Sequence, residues 1–371
     1  MRIVHVVGVR PNFIKIAPIV EALEQYSGVE QVLVHTGQHF DSSMSRVFFD
    51  ELAIRTPMVN LKTGAPGDES ETGRIVAALD GAFDELRPEC VVVVGDVNST
   101  LAGALVAAKK QIPCAHVEAG LRSFDRSMPE EINRIVTDHL ADLLLTPSED
   151  ADQNLLAEGI SHDSIHRVGN VVVDTLLQNL HRAKQRPIVD SLGFREGRYA
   201  VATLHRPSNV DRAEVLERLC DTLGWIQEQI PLVLPLHPRT RQRLENFSLF
   251  ERLTSMEGLR LTEPMGYLDF LALTASSRLV LTDSGGLQEE TTMLGIPCLT
   301  LRGSTERPVT VSLGTNTIVG LDPTAIRNAV SEVLRGDGKT GTVPPLWDGM
   351  ASRRAARVIV EFLDQDLATK G

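Results

Sequence analysis

Residues able to do chemistry stand at the ends of strand-like runs in this chain, and they are of different kinds in its two halves. The second half offers cations and glycines. Leu281-Thr282-Asp283 closes an apolar run and leads into Ser284-Gly285-Gly286, after which Leu287-Gln288-Glu289-Glu290 opens a helical pattern. Glycines let a backbone approach a ligand closely, and the N–H groups that open a helix bind phosphate. Ser284 adds a hydroxyl, and Glu290 lies one to two turns in, where a carboxylate can accept hydrogen bonds from ribose. The alternative is a plain capped helix. His205-Arg206 and His237-Pro238-Arg239 repeat one arrangement at two more strand ends, which fits an anion site or, failing that, separate surface loops. Arg302 and Arg307 follow another strand and present guanidinium forks suited to phosphate.

The first half offers carboxylates. Asp96 follows the apolar run Cys90–Val94 and either faces a ligand or caps the next helix. Glu118 ends a mostly apolar strand, where a carboxylate is expensive unless paired or used. Glu130 and Glu131 follow Pro129; they either work in a site or simply suit the first turn of a helix. Arg10 and Lys15 come after the first strand, as phosphate ligands or as solvated cations on a helix that Pro11 starts. Gly8-Val9-Arg10-Pro11 is not a GxGxxG run, so a dinucleotide site is poorly supported. Thr36–Asp41, with Gln38 and His39, reads as a polar loop or an ordinary turn. Phosphate binding gains nothing from carboxylates, so their presence points to proton transfer on whatever the phosphate carries.

The elements that must hold these residues form two alternating strand and helix series. The first has apolar runs at Arg2–Val7, Gln31–His35, Cys90–Val94, Pro113–Val117, Asp142–Thr146 and Ser164–Val168, with helical patterns over Ser43–Leu52 and Glu69–Leu86 and a helix capped by Asn98 or Ser99. The second has runs at Tyr199–Leu204, Leu232–Leu236, Leu259–Leu261, Arg278–Thr282 and Pro297–Leu301. Such alternation predicts an α/β fold with parallel sheets and right-handed crossovers. The expected organisation is a first domain over 1–181, an aperiodic connection over 182–197, a second domain over 198–349, and a final helix from 350. Two such sheets facing a cleft would aim their strand ends at one ligand.

The 371 residues are 42% hydrophobic and 23% charged, an ordinary globular composition that excludes a disordered or collagen-like chain. Basic residues number 37 against 49 acidic, a net charge of −12, which disfavours a nucleic-acid binder. No apolar stretch is long enough to span a bilayer, and the N-terminal run is too short for a secretory signal. A cytoplasmic location without membrane or nucleic-acid partners is expected. Cys90, Cys114, Cys220 and Cys298 show no CxxC spacing and read as buried structural thiols, not metal ligands.

The chain resembles the non-hydrolysing UDP-N-acetylglucosamine 2-epimerases almost from end to end. The pieces that carry the resemblance are GVRPNFIKIAP (8–18), TGQH (36–39), GD (95–96), HVEAGLRS (116–123), PEEINR (129–134), TLHRP (203–207), DSGGLQEE (283–290) and TERP (305–308). It implies two Rossmann-like domains of the GT-B type, the C-terminal helix returning to the first, a homodimer, and neither cofactor nor metal. It implies elimination of UDP to 2-acetamidoglucal and re-addition, which interconverts UDP-N-acetylglucosamine and UDP-N-acetylmannosamine. By motif, Asp96, Glu118 and Glu130 are the acid/base candidates, and His205 matches the histidine at the leaving diphosphate. Arg10, Lys15, Ser284, Gly285, Gly286, Glu290 and Arg307 match UDP-binding positions, with His237 a further contact and Phe270 an apolar neighbour of the uracil. Some bacterial members are activated by their own UDP-sugar at a second site, where Gln38, His39, Arg74 and Arg206 would belong. The family commonly has Thr at position 9, Glu-Ala at 12–13 and a Thr-rich run after Asp96; Val9, Asn12-Phe13 and Val97-Asn98-Ser99-Thr100 depart from that, the change at 12 bearing on the mouth of the site and the last on the sugar accepted. The competing readings are a 2-epimerase for a UDP-2,3-diacetamido sugar, a hydrolysing variant, a GT-B glycosyltransferase and a non-catalytic UDP-sugar sensor.

Overall fold

A computed structural model describes residues 1–37, 51–52, 54, 58–63 and 71–370. The chain forms two compact units, Met1–Thr175 with Pro345–Gly371, and Leu176–Pro344. Among the described residues the first unit's sheet has seven strands: β1 (Arg2–Val7), β2 (Glu30–His35), β3 (Met58–Asn60), β4 (Cys90–Val94), β5 (Cys114–Val117), β6 (Leu143–Thr146) and β7 (Ile165–Arg167). Their order is β3-β2-β1-β4-β5-β6-β7 and every pairing is parallel. The second unit's sheet has six: β8 (Ala200–Thr203), β9 (Leu232–Pro235), β10 (Leu259–Thr262), β11 (Leu279–Thr282), β12 (Cys298–Thr300) and β13 (Asn316–Ile318), in the order β10-β9-β8-β11-β12-β13, again all parallel. Reading out from β1 and from β8, both sheets reverse direction at their first strand, as a doubly wound Rossmann-like sheet does. The strand ends beside that reversal are those of β1 and β4, and of β8 and β11.

Burial explains the pattern. β4 is Cys-Val-Val-Val-Val and every residue is inaccessible, as a central strand covered on both faces requires. The four cysteines are free and buried, as expected. No described helix is long and apolar enough to cross a membrane. Strands β3 and β13 were not legible in the sequence: each is three residues long and pairs on one side only. The helical expectation over 43–52 lies almost wholly outside the described residues.

Two local expectations are corrected. Neither Asn98 nor Ser99 caps the helix Asn98–Lys109; Val97 holds that position, and its side chain has nothing to donate or accept. Asn98 Nδ2 instead donates to Glu71 Oε2 (2.8 Å), and Ser99 Oγ bonds Thr36 Oγ1 (2.7 Å). Residues 182–197 are not an irregular connection. They include the end of the helix Val171–Lys184 and a further helical turn at Ile188–Ser191. Arg186 grips Asp269 at 2.6 and 2.9 Å, and Val189, Leu192 and Phe194 pack on the Tyr199 cluster.

The final helix, Ala351–Lys370, buries Ala355, Ile359 and Leu363 and packs on the helix Arg10–Leu23 within the first unit. Its first turn is held by a residue distant in sequence. The buried Asp174 carboxylate accepts from Ala351 N (3.1 Å), Ser352 N (2.7 Å) and Ser352 Oγ (2.6 Å), satisfying N–H groups that a helix start leaves open. Asp174→Ala is expected to cost about 1–2 kcal/mol, read as a lowered urea midpoint together with faster proteolysis of the C-terminal helix.

Candidate active site

In the first unit, polar residues gather where β1, β4 and β5 end. The turn after β1 is built by Asn12. Its buried Oδ1 accepts from Gly8 N (3.0 Å) and Val9 N (3.1 Å), and its Nδ2 donates to the Val94 carbonyl (3.1 Å), which ties the turn to the end of β4. One helical turn later Lys15 Nζ forms an ion pair with Glu118 Oε2; the two side chains are only 11% and 7% exposed. Gly95 makes room for that pair. It has φ +69°, and a Cβ there would lie 2.9 Å from Lys15 Nζ and 3.5 Å from Glu118 Oε2. Glu118 itself has φ +69°, a left-handed conformation costing a non-glycine residue roughly 1–3 kcal/mol. A nearly buried ion pair adds little net stability. Folding gains little from either feature.

Asp96 pairs with Arg134 Nη2, and Arg134 Nη1 pairs with Glu131. Glu131 is more than a first-turn carboxylate. It accepts from Ser123 N (2.9 Å), Ser123 Oγ (2.8 Å) and Phe124 N (2.8 Å), fixing the loop that precedes its own helix. Burial would raise its carboxyl, but the Ser123 bonds, the Arg134 charge and the Phe124 bond hold it below the usual carboxylate range. Glu130 is half-buried in the first turn of the same helix, and Arg10 is half-buried at the start of the helix that follows β1. Arg74 lies on the helix Glu71–Leu86, its Nε 3.3 Å from the Thr63 carbonyl. Gln38 and His39 lie outside the described residues.

In the second unit Asp283, at the end of β11 and inaccessible to solvent, is the organising group. Its carboxylate accepts from His205 N (3.0 Å), Arg206 N (2.9 Å) and Asn209 Nδ2 (3.1 Å), and it lies 2.7 Å from His205 Nδ1. Burial pushes its carboxyl up; the His205 contact and the backbone donors outweigh that and hold it low. His205 therefore donates from Nδ1, which leaves Nε2 for a ligand. The His237 ring lies 5.6 Å away, but its Nδ1 accepts from Arg239 N (3.2 Å) as a helix cap. Arg239 is paired with Asp211, so the second His/Arg motif does not bring a guanidinium to the site as its spacing suggested.

Ser284 stands at the cap position of the helix Gly285–Leu294 without its side chain making a cap bond. The two glycines differ. A Cβ at Gly286 would meet nothing within 4 Å, as approach by a ligand requires, whereas one at Gly285 would lie 2.4 Å from Arg307 Nη1. Gly285 thus admits the Arg307 guanidinium against the helix start. Arg307 is held there by Glu289 (2.8 Å) and Glu306 (2.9 Å), and Glu306 also takes Arg302 (2.9 Å). Arg206 Nη2 is 3.8 Å from Glu306. Phe270, partly buried on the helix Tyr267–Ala275, packs on the Tyr199 cluster.

The sequence matches the model of the family described as UDP-N-acetylglucosamine 2-epimerase over residues 21–360. A Methanocaldococcus jannaschii protein named UDP-N-acetylglucosamine 2-epimerase is 42% identical over 97% of this chain and 99% of its own. The chain belongs to the UDP-N-acetylglucosamine 2-epimerase family. A Pseudomonas aeruginosa member, UDP-2,3-diacetamido-2,3-dideoxy-D-glucuronate 2-epimerase, is 39% identical over 98% of this chain and 100% of its own. The crystal structure of the M. jannaschii enzyme in complex with UDP-GlcNAc and UDP superposes with a TM-score of 0.91 at 41% identity, over 97% of this chain and 100% of that one.

Sequence reasoning about this epimerase-family chain missed how the site residues are held, by Asn12, Arg134, Glu131, Asp283, Glu289 and Glu306. Only the spending of two acidic side chains on one arginine, visible in TERP and QEE once folded, would have pointed to the last two. Glu290 has its own signature. Burial pushes its carboxyl up to about 7, against the Tyr267 hydroxyl, which lowers it, and with the Glu289 charge, which raises it further. The native state of this epimerase-family member therefore keeps a proton that the unfolded chain gives up near 4.5. The stability that this one group contributes is fully present below that value and is lost as pH rises toward 7. Glu290→Gln is expected to match the parent near pH 4.5 and to exceed it by on the order of 3 kcal/mol at pH 8, measured by urea unfolding across pH.

Proposed function

We propose that the chain interconverts UDP-N-acetylglucosamine and UDP-N-acetylmannosamine by eliminating UDP and adding it back. The observation that carries this reading is the pairing of carboxylates with cations at the ends of β4 and β5: the nearly buried Glu118 with Lys15, and the partly exposed Asp96 with the buried Arg134. A phosphate holder alone has no use for them. The hydrogen at C2 of the sugar has no adjacent ring carbonyl and is weakly acidic, so its removal needs assistance from the departing diphosphate. The C2–H pair becomes the C1–C2 double bond as the C1–O pair leaves with UDP, and one of Asp96, Glu118 and Glu130 takes the proton. Return of a proton to the opposite face and re-addition of the phosphate oxygen at C1 give the epimer.

In this reading the second unit stabilises charge on the leaving group. His205, oriented by Asp283, presents Nε2 to the diphosphate. Arg307, Ser284 and the open face at Gly286 receive phosphate oxygens, Glu290 accepts from ribose, and Phe270 contacts the base. In the first unit, Arg10 and Lys15 are the candidate anion ligands. A homodimer in the cytoplasm is part of the proposal; exposed apolar Phe124, Ile132 and Val136 on and beside the helix Pro129–Leu140 support the dimer. A second reading, a UDP-2,3-diacetamido sugar as substrate, is favoured by the likeness to the P. aeruginosa enzyme.

Incubation with each UDP-sugar in deuterium oxide tests both. Solvent deuterium at C2 of both UDP-N-acetyl epimerers with UDP still attached supports the first reading; turnover of the diacetamido sugar alone supports the second. Free UDP accumulating with free N-acetylmannosamine would assign a hydrolase. Glu118→Gln is expected to lower turnover by about 10²–10⁴-fold while UDP affinity by calorimetry changes less than about threefold, and Asp283→Asn to lower it by a similar factor through the misoriented His205. Equal losses of turnover and affinity in Glu118→Gln would make it a binding residue.

A further inference from the structure

His116 has no place in the reading above, yet it sits directly behind both acid/base strand ends. Its side chain is inaccessible to solvent. Nε2 lies 2.7 Å from the Gly95 carbonyl and Nδ1 lies 2.6 Å from Asp138 Oδ1. We propose that His116 is a positioning residue that donates from both ring nitrogens, tying the turn that carries Asp96 to the turn that carries Glu118. The proposal rests on the acid/base assignment of those two carboxylates.

The donor count follows from the partners. A carbonyl oxygen has no proton to give, so Nε2 donates. Asp138 Oδ2 already takes Gly120 N (3.1 Å) and Arg122 Nη1 (2.7 Å), an arrangement that suits an ionised carboxylate, so Nδ1 also meets an acceptor. Burial would raise Asp138, but the His116 and Arg122 charges outweigh it and hold the carboxyl low. A neutral imidazole would turn a lone pair on one of these oxygens inside a dry site, where no water offsets the repulsion. The charges balance: His116 and Arg122 are positive, Asp138 and Glu158 negative, and Arg122 reaches both Glu158 oxygens at 2.7 Å. His139, 3.8 Å from Glu158 and nearly half exposed, is the next titratable group outward.

The mechanical consequence lies on either side of the ring. Gly95 has φ +69°, and the bond to its carbonyl fixes the peptide leading into Asp96. Two residues after His116 the chain turns through Glu118 with φ +69°, and Gly120, with φ +81°, returns its N–H to Asp138. One ring thus sets both turns, whose strand ends are adjacent in the sheet.

Selective ¹⁵N-histidine labelling with His116→Gln as the assignment control tests the protonation. Two ring N–H cross-peaks from His116 near neutral pH are expected; a single one would overturn the proposal. Glutamine cannot donate to both acceptors across that span, so His116→Gln should lower kcat per folded molecule by about a hundredfold with KM and UDP affinity within about threefold. A lowered urea midpoint with kcat intact would make His116 merely structural and overturn it. Should that variant fail to fold, Asp138→Asn should lose one of the two cross-peaks and show the same kcat loss; if neither folds, the ring signals are assigned in the parent through the His116 backbone resonances, and a single ring N–H there overturns the proposal. A parent that does not exchange the C2 hydrogen would sink the epimerase reading while leaving the ring N–H count to be judged by itself.

Discussion

A charged side chain taken out of water must be met by an opposite charge or by donated hydrogen bonds, and that requirement organises both units. At the end of β5, Glu118 is met by Lys15; at the end of β4, Asp96 is met by Arg134; at the end of β11, Asp283 is met by backbone N–H groups and the His205 ring. In each case a second element supplies the partner. The sheet delivers a polar residue to its carboxyl edge, and the helix or loop beside it sets that residue's direction.

The pairing comes with local strain. Glu118 adopts a left-handed backbone, Gly95 must lack a side chain so that Lys15 can reach Glu118, and Gly285 must lack one so that Arg307 can reach Glu289 and Glu306. None of these is the cheapest way to end a strand or start a helix. A chain selected for stability alone would replace buried ion pairs with apolar packing at little loss or some gain. Keeping them concentrates fixed charge where a reaction that moves protons and expels a diphosphate would draw on it, without reorganisation at the moment of reaction.

The balance also differs from one buried carboxylate to the next. Glu290 is buried beside another carboxylate and holds its proton up to about 7, whereas Glu131 and Asp283, buried among donors, are held low. Burial acts in one direction on all three; the number of N–H groups and cations aimed at each decides the outcome.

Much of this was legible in the residues. Continuous apolar runs such as Cys90–Val94 read as covered strands, and their alternation with helical patterns dictates parallel sheets. Short edge strands were not legible, because Met58–Asn60 and Asn316–Ile318 need bury only one flank. Nor were the partners. Asp138 lies 22 residues from His116 and 16 from Arg122, Asp283 lies 78 from His205, and Asp174 lies 178 from the helix turn it holds. Arg239 looked like an anion ligand beside His237 until Asp211 claimed it. Sequence by itself determined which residues reach the strand ends, because period and hydrophobicity act locally along the chain. Only the tertiary structure decided which charges meet there, because Coulomb and hydrogen-bond energies depend on distances through space that chain separation does not set.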